Sequence, residues 1–98
     1  MPNYYVTLFK LTDQGIKEIK NAPQRIAANT KALEAAGGKM IGLYATTGEY
    51  DYVSVVEGGT DEDAMTMMLG MGSAGSVRTT TLKAFSMEQF AQMVKKLP

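Results

Sequence analysis

Two glycine pairs, Gly37-Gly38 and Gly58-Gly59, constrain the fold of this chain more than any other feature. Glycine reaches left-handed backbone conformations without steric cost, so the first pair reads as the end of a helix and the second as the close of a hairpin. Between them lie two runs of strand-forming residues, Lys39 to Thr46 and Tyr50 to Glu57, with only a short turn at Thr47-Gly48 to join them. That spacing predicts an antiparallel β-hairpin.

The flanking segments place this hairpin in a larger plan. Tyr4 to Leu11 alternates in a manner that predicts a first strand, and Thr12 to Ile19 reads as a polar connection around Gly15. Asn21, Gln24 three positions on and Pro23 in the first turn have the pattern of a capping box. The helix it opens runs toward Gly37, with Ile26, Thr30, Leu33 and Ala36 turned to the sheet. After the hairpin, Thr60 or Asp61 caps a second helix. Asp61, Glu62 and Asp63 then place negative charge at the positive end of its dipole. Its body carries Met65, Met67, Met68, Leu69 and Met71, too broad a run for one narrow stripe, so core filling with part of the run exposed is expected. Val77 to Phe85 reads as a last strand. Ser86 with Gln89 forms a second capping box, before a helix with a stripe of Phe90, Met93, Val94 and Leu97. The order is β-α-β-β-α-β plus a C-terminal helix, the α+β ferredoxin-like sandwich, as one domain over residues 1–98.

Composition removes several function classes. Ten basic and ten acidic side chains cancel among 98 residues, so no summed field steers the chain toward nucleic acid or an anionic membrane. There is no cysteine and no histidine. That removes thiol nucleophiles, disulfides and thiolate metal sites, together with the commonest general base. No cofactor and no metal site are expected: Asp61-Glu62-Asp63 lacks the spaced ligands and turn glycine of a calcium loop. Lys95 and Lys96 suit the C-terminal end of a helix dipole rather than a nucleic-acid contact. Met1-Pro2-Asn3-Tyr4-Tyr5 has neither the positive start nor the apolar stretch of a secretory signal, and no run approaches the ~20 apolar residues of a membrane span. A cytoplasmic location is expected.

Gly70-Met71-Gly72-Ser73-Ala74-Gly75 spells the glycine pattern of dinucleotide-binding proteins. The context opposes that reading, because the fingerprint needs a strand entering the loop and a helix leaving it. Here a helix enters and a strand leaves, which predicts helix termination and a tight turn.

Three blocks in order carry a resemblance to a known family. They are Leu11-Thr12-Asp13-Gln14-Gly15-Ile16, then Gly48-Glu49-Tyr50-Asp51, then Gly72-Ser73-Ala74-Gly75-Ser76-Val77-Arg78-Thr79. The chain resembles the GYD family of small bacterial proteins, with Gly48, Tyr50 and Asp51 matching its signature. The resemblance implies a four-stranded antiparallel sheet with two helices on one face, similar to dimeric α/β barrels. In such folds the bare sheet face is buried against a second copy, so a homodimer or higher oligomer is expected.

Within the second strand of the hairpin, alternation puts Tyr50, Tyr52, Ser54 and Val56 on one face and Asp51, Val53, Val55 and Glu57 on the other. Val53 and Val55 suggest that the second set faces the helices. Tyr50, Tyr52 and Ser54 then point to the open face, either lining a pocket between subunits or packing a dimer core. Asp51 reads as an acceptor for loop amides or as a partner of Arg78, with a catalytic base as the other reading.

Two functions compete on these residues. One is a non-catalytic oligomeric module that binds a small apolar or aromatic molecule or serves assembly. The other is a cofactor-independent monooxygenase or isomerase using Tyr and Asp, an analogy from fold alone. A third, a signalling regulator like the trimeric nitrogen regulators, is opposed by the short Thr47-Gly48 turn.

Overall fold

The computed structural model describes residues 2–98. Four strands, β1 (Tyr4–Leu11), β2 (Lys39–Ala45), β3 (Tyr52–Glu57) and β4 (Val77–Ala84), form one sheet in the order β2-β3-β1-β4, with every neighbouring pair antiparallel. The helices are α1 (Asp13–Lys17), α2 (Ala22–Ala35), α3 (Asp61–Ala74) and α4 (Met87–Lys95). With α2 and α3 as the two crossovers, this is the ferredoxin-like α+β arrangement expected from the order of elements.

The ends of these elements show why the chain folds locally as it does. At the end of α2, Gly37 takes a φ of 96°. The amide of Gly38 donates to the Leu33 carbonyl and that of Gly37 to the Glu34 carbonyl, the paired bonds of a Schellman cap. Thr60 opens α3 with a reciprocal capping box to Asp63, and Ser86 opens α4 in the same way with Gln89. Asn21 makes no such cap. A 3₁₀ turn over Ile19–Asn21 runs straight into α2, leaving Asn21 with near-helical backbone angles from which its side chain does not cap the next turn. The connection before it is also helical, since Thr12 Oγ1 accepts from the Gly15 amide and starts α1.

The glycine-rich stretch differs from its sequence reading. Gly70 and Gly72 lie inside α3, and only Gly75, with a φ of 88°, forms the left-handed cap. Tertiary packing against the sheet carries the helix through two residues of low propensity. No phosphate-cradling loop exists there.

Register decides the two faces of the sheet. Thr7 stands between Ser54 and Thr81, and Phe9 between Tyr52 and Thr79, all beneath the helices. Val6 stands between Val55 and Leu82, and Leu8 beside Val53, on the face turned away from α2 and α3. Tyr44, opposite Val53 on β2, joins them. A bulge between Met40 and Gly42 adjusts β2, and the Tyr44 ring occupies the space a Cβ at Gly42 would need. Tyr52 and Ser54 therefore face the helices, and Val53 and Val55 face outward. The expected assignment of β3 is reversed.

Helix α4 stands apart. Phe90, Met93, Val94 and Leu97 are all exposed, and Gln89 Nε2 donating to the Pro2 carbonyl at 3.3 Å ties its first turn to the N-terminus. The radius of gyration is 14.9 Å. A compact chain of about 100 residues has ~13 Å.

Candidate ligand cavity and the signature turn

A cavity of about 320 Å³ lies between the sheet and helices α2 and α3. Its floor is Thr7, Ser54 and the Phe9–Tyr52 pair, whose rings meet edge to face at 6.4 Å. Its walls are Ile26 and Leu33 from α2 and Met67, Met68 and Met71 from α3. The methionine run thus divides: those three turn inward, while Met65 and Leu69 are exposed on the outer line. Long, flexible methionine side chains adapt to an irregular wall, which suits a space of this kind.

The floor is polar where a protein core is usually apolar. Thr7 is 2% and Ser54 3% exposed, and Thr7 Oγ1 and Thr81 Oγ1 share a hydrogen bond of 3.2 Å. Among the described residues Arg25 is the one charged residue lining the cavity. It donates to the Glu18 carbonyl at 3.3 Å and lies 3.6 Å from the Glu18 carboxylate. Asn29, one helical turn on, adds an amide.

Above β1, the N-terminus of α3 is anchored by three side chains. Tyr5 donates its hydroxyl to Asp61 Oδ1 at 2.6 Å, and Lys83 Nζ lies 3.0 Å from the same oxygen. Burial first, and the Asp61 carboxylate second, push the Tyr5 phenol up to about 12. The hydrogen bonds from Tyr5 and then Lys83 hold the Asp61 carboxyl below its ordinary range. Tyr4, on the other face, is also raised, by burial and by the neighbouring Glu57 carboxylate it bonds at 3.3 Å.

The signature residues lie elsewhere. Asp51 Oδ2 accepts from the Leu11 amide at 2.8 Å, while the Asp51 amide donates to the Phe9 carbonyl and its carbonyl accepts from the Thr46 amide, both at 2.8 Å. These three bonds stitch the β2–β3 turn to the end of β1. Gly48, with a φ of 96°, makes the bend, and the Thr46 hydroxyl donates to the Tyr50 carbonyl. Tyr50 lies outside β3, with Lys10 Nζ 5.6 Å from its ring centre. Asp51 thus takes the local role of accepting from backbone. Arg78 forms no ion pair with it among the described residues; its register partner is Lys10.

Of the residues singled out from sequence, the structure brings Tyr52 and Ser54 together in the cavity, and sets Gly48, Tyr50 and Asp51 in a turn. Sequence reasoning does not reach Arg25, Asn29, Thr7 or the Tyr5-Asp61-Lys83 cluster. Alternation in β1, with Thr7 between Tyr5 and Phe9, is the available signal for a polar patch on the helix side.

The sequence model of the GYD domain matches residues 5–94. The chain belongs to the GYD domain family. A relative from Thermus thermophilus, named "Glutamine synthetase and cystathionine beta-lyase binding protein", is 38% identical over 99 residues. The match spans 97% of this GYD chain and 100% of the relative. No solved structure matches the chain. Among the described residues, no helix is long and apolar enough to cross a membrane, and no group of three His, Cys, Asp or Glu side chains is placed to hold a metal ion.

Proposed function

We propose that this GYD protein is a non-catalytic binding module. It docks onto glutamine synthetase and cystathionine beta-lyase, assembles with copies of itself, and carries a small apolar or aromatic molecule in the cavity. The observation that carries the docking is the match over the full length of a relative named for binding those two enzymes. Full coverage leaves no extra segment in the relative to account for its binding.

Self-assembly has a physical motive. Val6, Leu8, Val53, Val55 and Leu82 form a continuous apolar patch on the sheet face turned away from α2 and α3, and the exposed stripe of α4 belongs to the same chain. Uncovered surfaces of this kind are uncommon on monomers. The buried hydrophobic side chains of the single chain are only Tyr5 and Ala22 among the described residues, which leaves much apolar area to gain by association.

Chemistry supports binding over turnover. A general base works best with a pKa near the working pH, and the environment of Tyr5 moves its phenol away from neutrality. Asp51 spends its carboxylate on a backbone amide.

Size-exclusion chromatography with light scattering tests the reading, using the purified chain alone and mixed with each of the two enzymes from its host. The chain alone should run as a discrete oligomer that Val53→Asp dissociates. Each mixture should give a complex heavier than either component. Elution with neither enzyme would sink the docking, and a monomer at tens of micromolar would sink the assembly.

A further inference from the structure

We propose that the molecule held between the sheet and the helices is a small apolar carboxylate, its body against the methionine wall and its anionic head at Arg25. This rests on the small-ligand part of the proposed function, and adds what the ligand must be.

Size sets the first limit. A space of about 320 Å³ equals ~10 waters at liquid density, which is room for a substituted ring or a short branched chain. Surroundings set the second. Met67, Met68, Met71, Leu33 and the edge-to-face Phe9–Tyr52 pair offer apolar and polarisable contacts, so the body of the ligand is apolar and preferably flat.

Charge sets the third. Among the described residues Arg25 is the only ionised side chain on the lining, and it sits in the first turns of α2 with about a third of its side chain exposed. A guanidinium has five N–H donors, and here one bond goes to the Glu18 carbonyl. The Glu18 carboxylate at 3.6 Å is the competing anion, yet a partly exposed pair at that distance is held weakly. Paired donors remain for a carboxylate, which arginine binds in a fork. Asn29 on the same helix and Ser54 on the floor supply neutral hydrogen bonds for a second polar group. Among the described residues no carboxylate stands on the lining to oppose an acid, whereas an amine at that end would meet the Arg25 cation.

Gly70 provides an independent handle on the site. It lies on the cavity edge within α3, and a Cβ placed there meets nothing within 4 Å. A leucine at that position fills space while improving helix propensity, so Gly70→Leu should remain folded.

The experiment is amide NMR titration of the full chain with phenylacetate, indole-3-acetate and 4-methylpentanoate, each against its neutral amide. Saturable shifts at Ser54, Met71 and Asn29 are expected for the acids, with the amides about tenfold weaker. Arg25→Gln should erase that preference, and Gly70→Leu should abolish binding while the amide spectrum stays dispersed. Amides binding as well as acids would overturn the carboxylate assignment and leave the pocket standing. Shifts absent from the cavity residues would overturn the site itself, whatever the outcome with the two enzymes.

Discussion

Tyr5 and Asp61 are joined by a 2.6 Å hydrogen bond that fixes the first residue of α3 to the second of β1, 56 positions earlier. Because α3 roofs the cavity, this contact sets the height of the roof at one end. Lys83 from β4 closes on the same carboxylate, so both central and edge strands hold the helix.

That cluster makes stability depend on pH at both extremes. The Asp61 carboxyl is lowered by its two donors, so its contribution is present above the ordinary carboxylate range and is lost as pH falls through the lowered pKa. The Tyr5 phenol is raised from 10.0 to about 12, so its contribution is complete below pH 10 and disappears as pH rises from 10 toward 12. Thermal melts from pH 2 to 12 should show both losses. Asp61→Asn should reduce the acid loss, and Tyr5→Phe the alkaline one, leaving the part that belongs to the raised Tyr4 phenol, while lowering the neutral-pH melting temperature by about 5 °C. Unchanged alkaline behaviour in Tyr5→Phe would show that the bond does not persist in solution.

Asp51 and Arg78 should act independently. Asp51→Ala leaves the Leu11 amide without its acceptor and should cost about 1–3 kcal/mol in urea unfolding. Arg78→Ala, at an exposed position, should change stability by less than ~0.5 kcal/mol. The double variant should equal the sum of the two within ~0.5 kcal/mol. A larger coupling would mean that a charge pair forms after all.

Two glycine-to-alanine changes should move in opposite directions. Gly15 is buried where a Cβ would overlap the Ser76 backbone carbonyl, and that backbone also accepts from the Thr12 amide. Gly15→Ala should therefore destabilise by about 3 kcal/mol, because α1 and the start of β4 must separate. Gly70→Ala has open space and a helical backbone, and should stabilise by ~0.5–1 kcal/mol. Equal effects of the two on the urea midpoint would refute the packing described for Gly15.

Sequence alone reads α1 as a polar connection and Tyr50 and Asp51 as the start of a strand, whereas the structure makes the first a helix and leaves the second pair in the turn. The order of the four strands and of α2, α3 and α4, and the caps at Ser86, Gly37 and, as one of two candidates, Thr60 were determined by the sequence alone. Each follows from contacts within a few residues along the chain: a hydroxyl and the amide three positions on, or a glycine where φ is positive. Alternation in β3 likewise established that Tyr52 and Ser54 share a face. Which face it is depends on the other layers, and only the tertiary structure decided it. Valines read by themselves point to the covered side, yet Val53 and Val55 stand on the open one, where they pack sideways against Leu8 and Val6 of the neighbouring strand. The helix side instead carries threonine, serine and tyrosine around a space that α2 and α3 span without filling. The cavity, the approach of Arg25 to it and the bond from Tyr5 to Asp61 join residues tens of positions apart. Their geometry comes from how the helices seat on the twisted sheet, which no local pattern encodes.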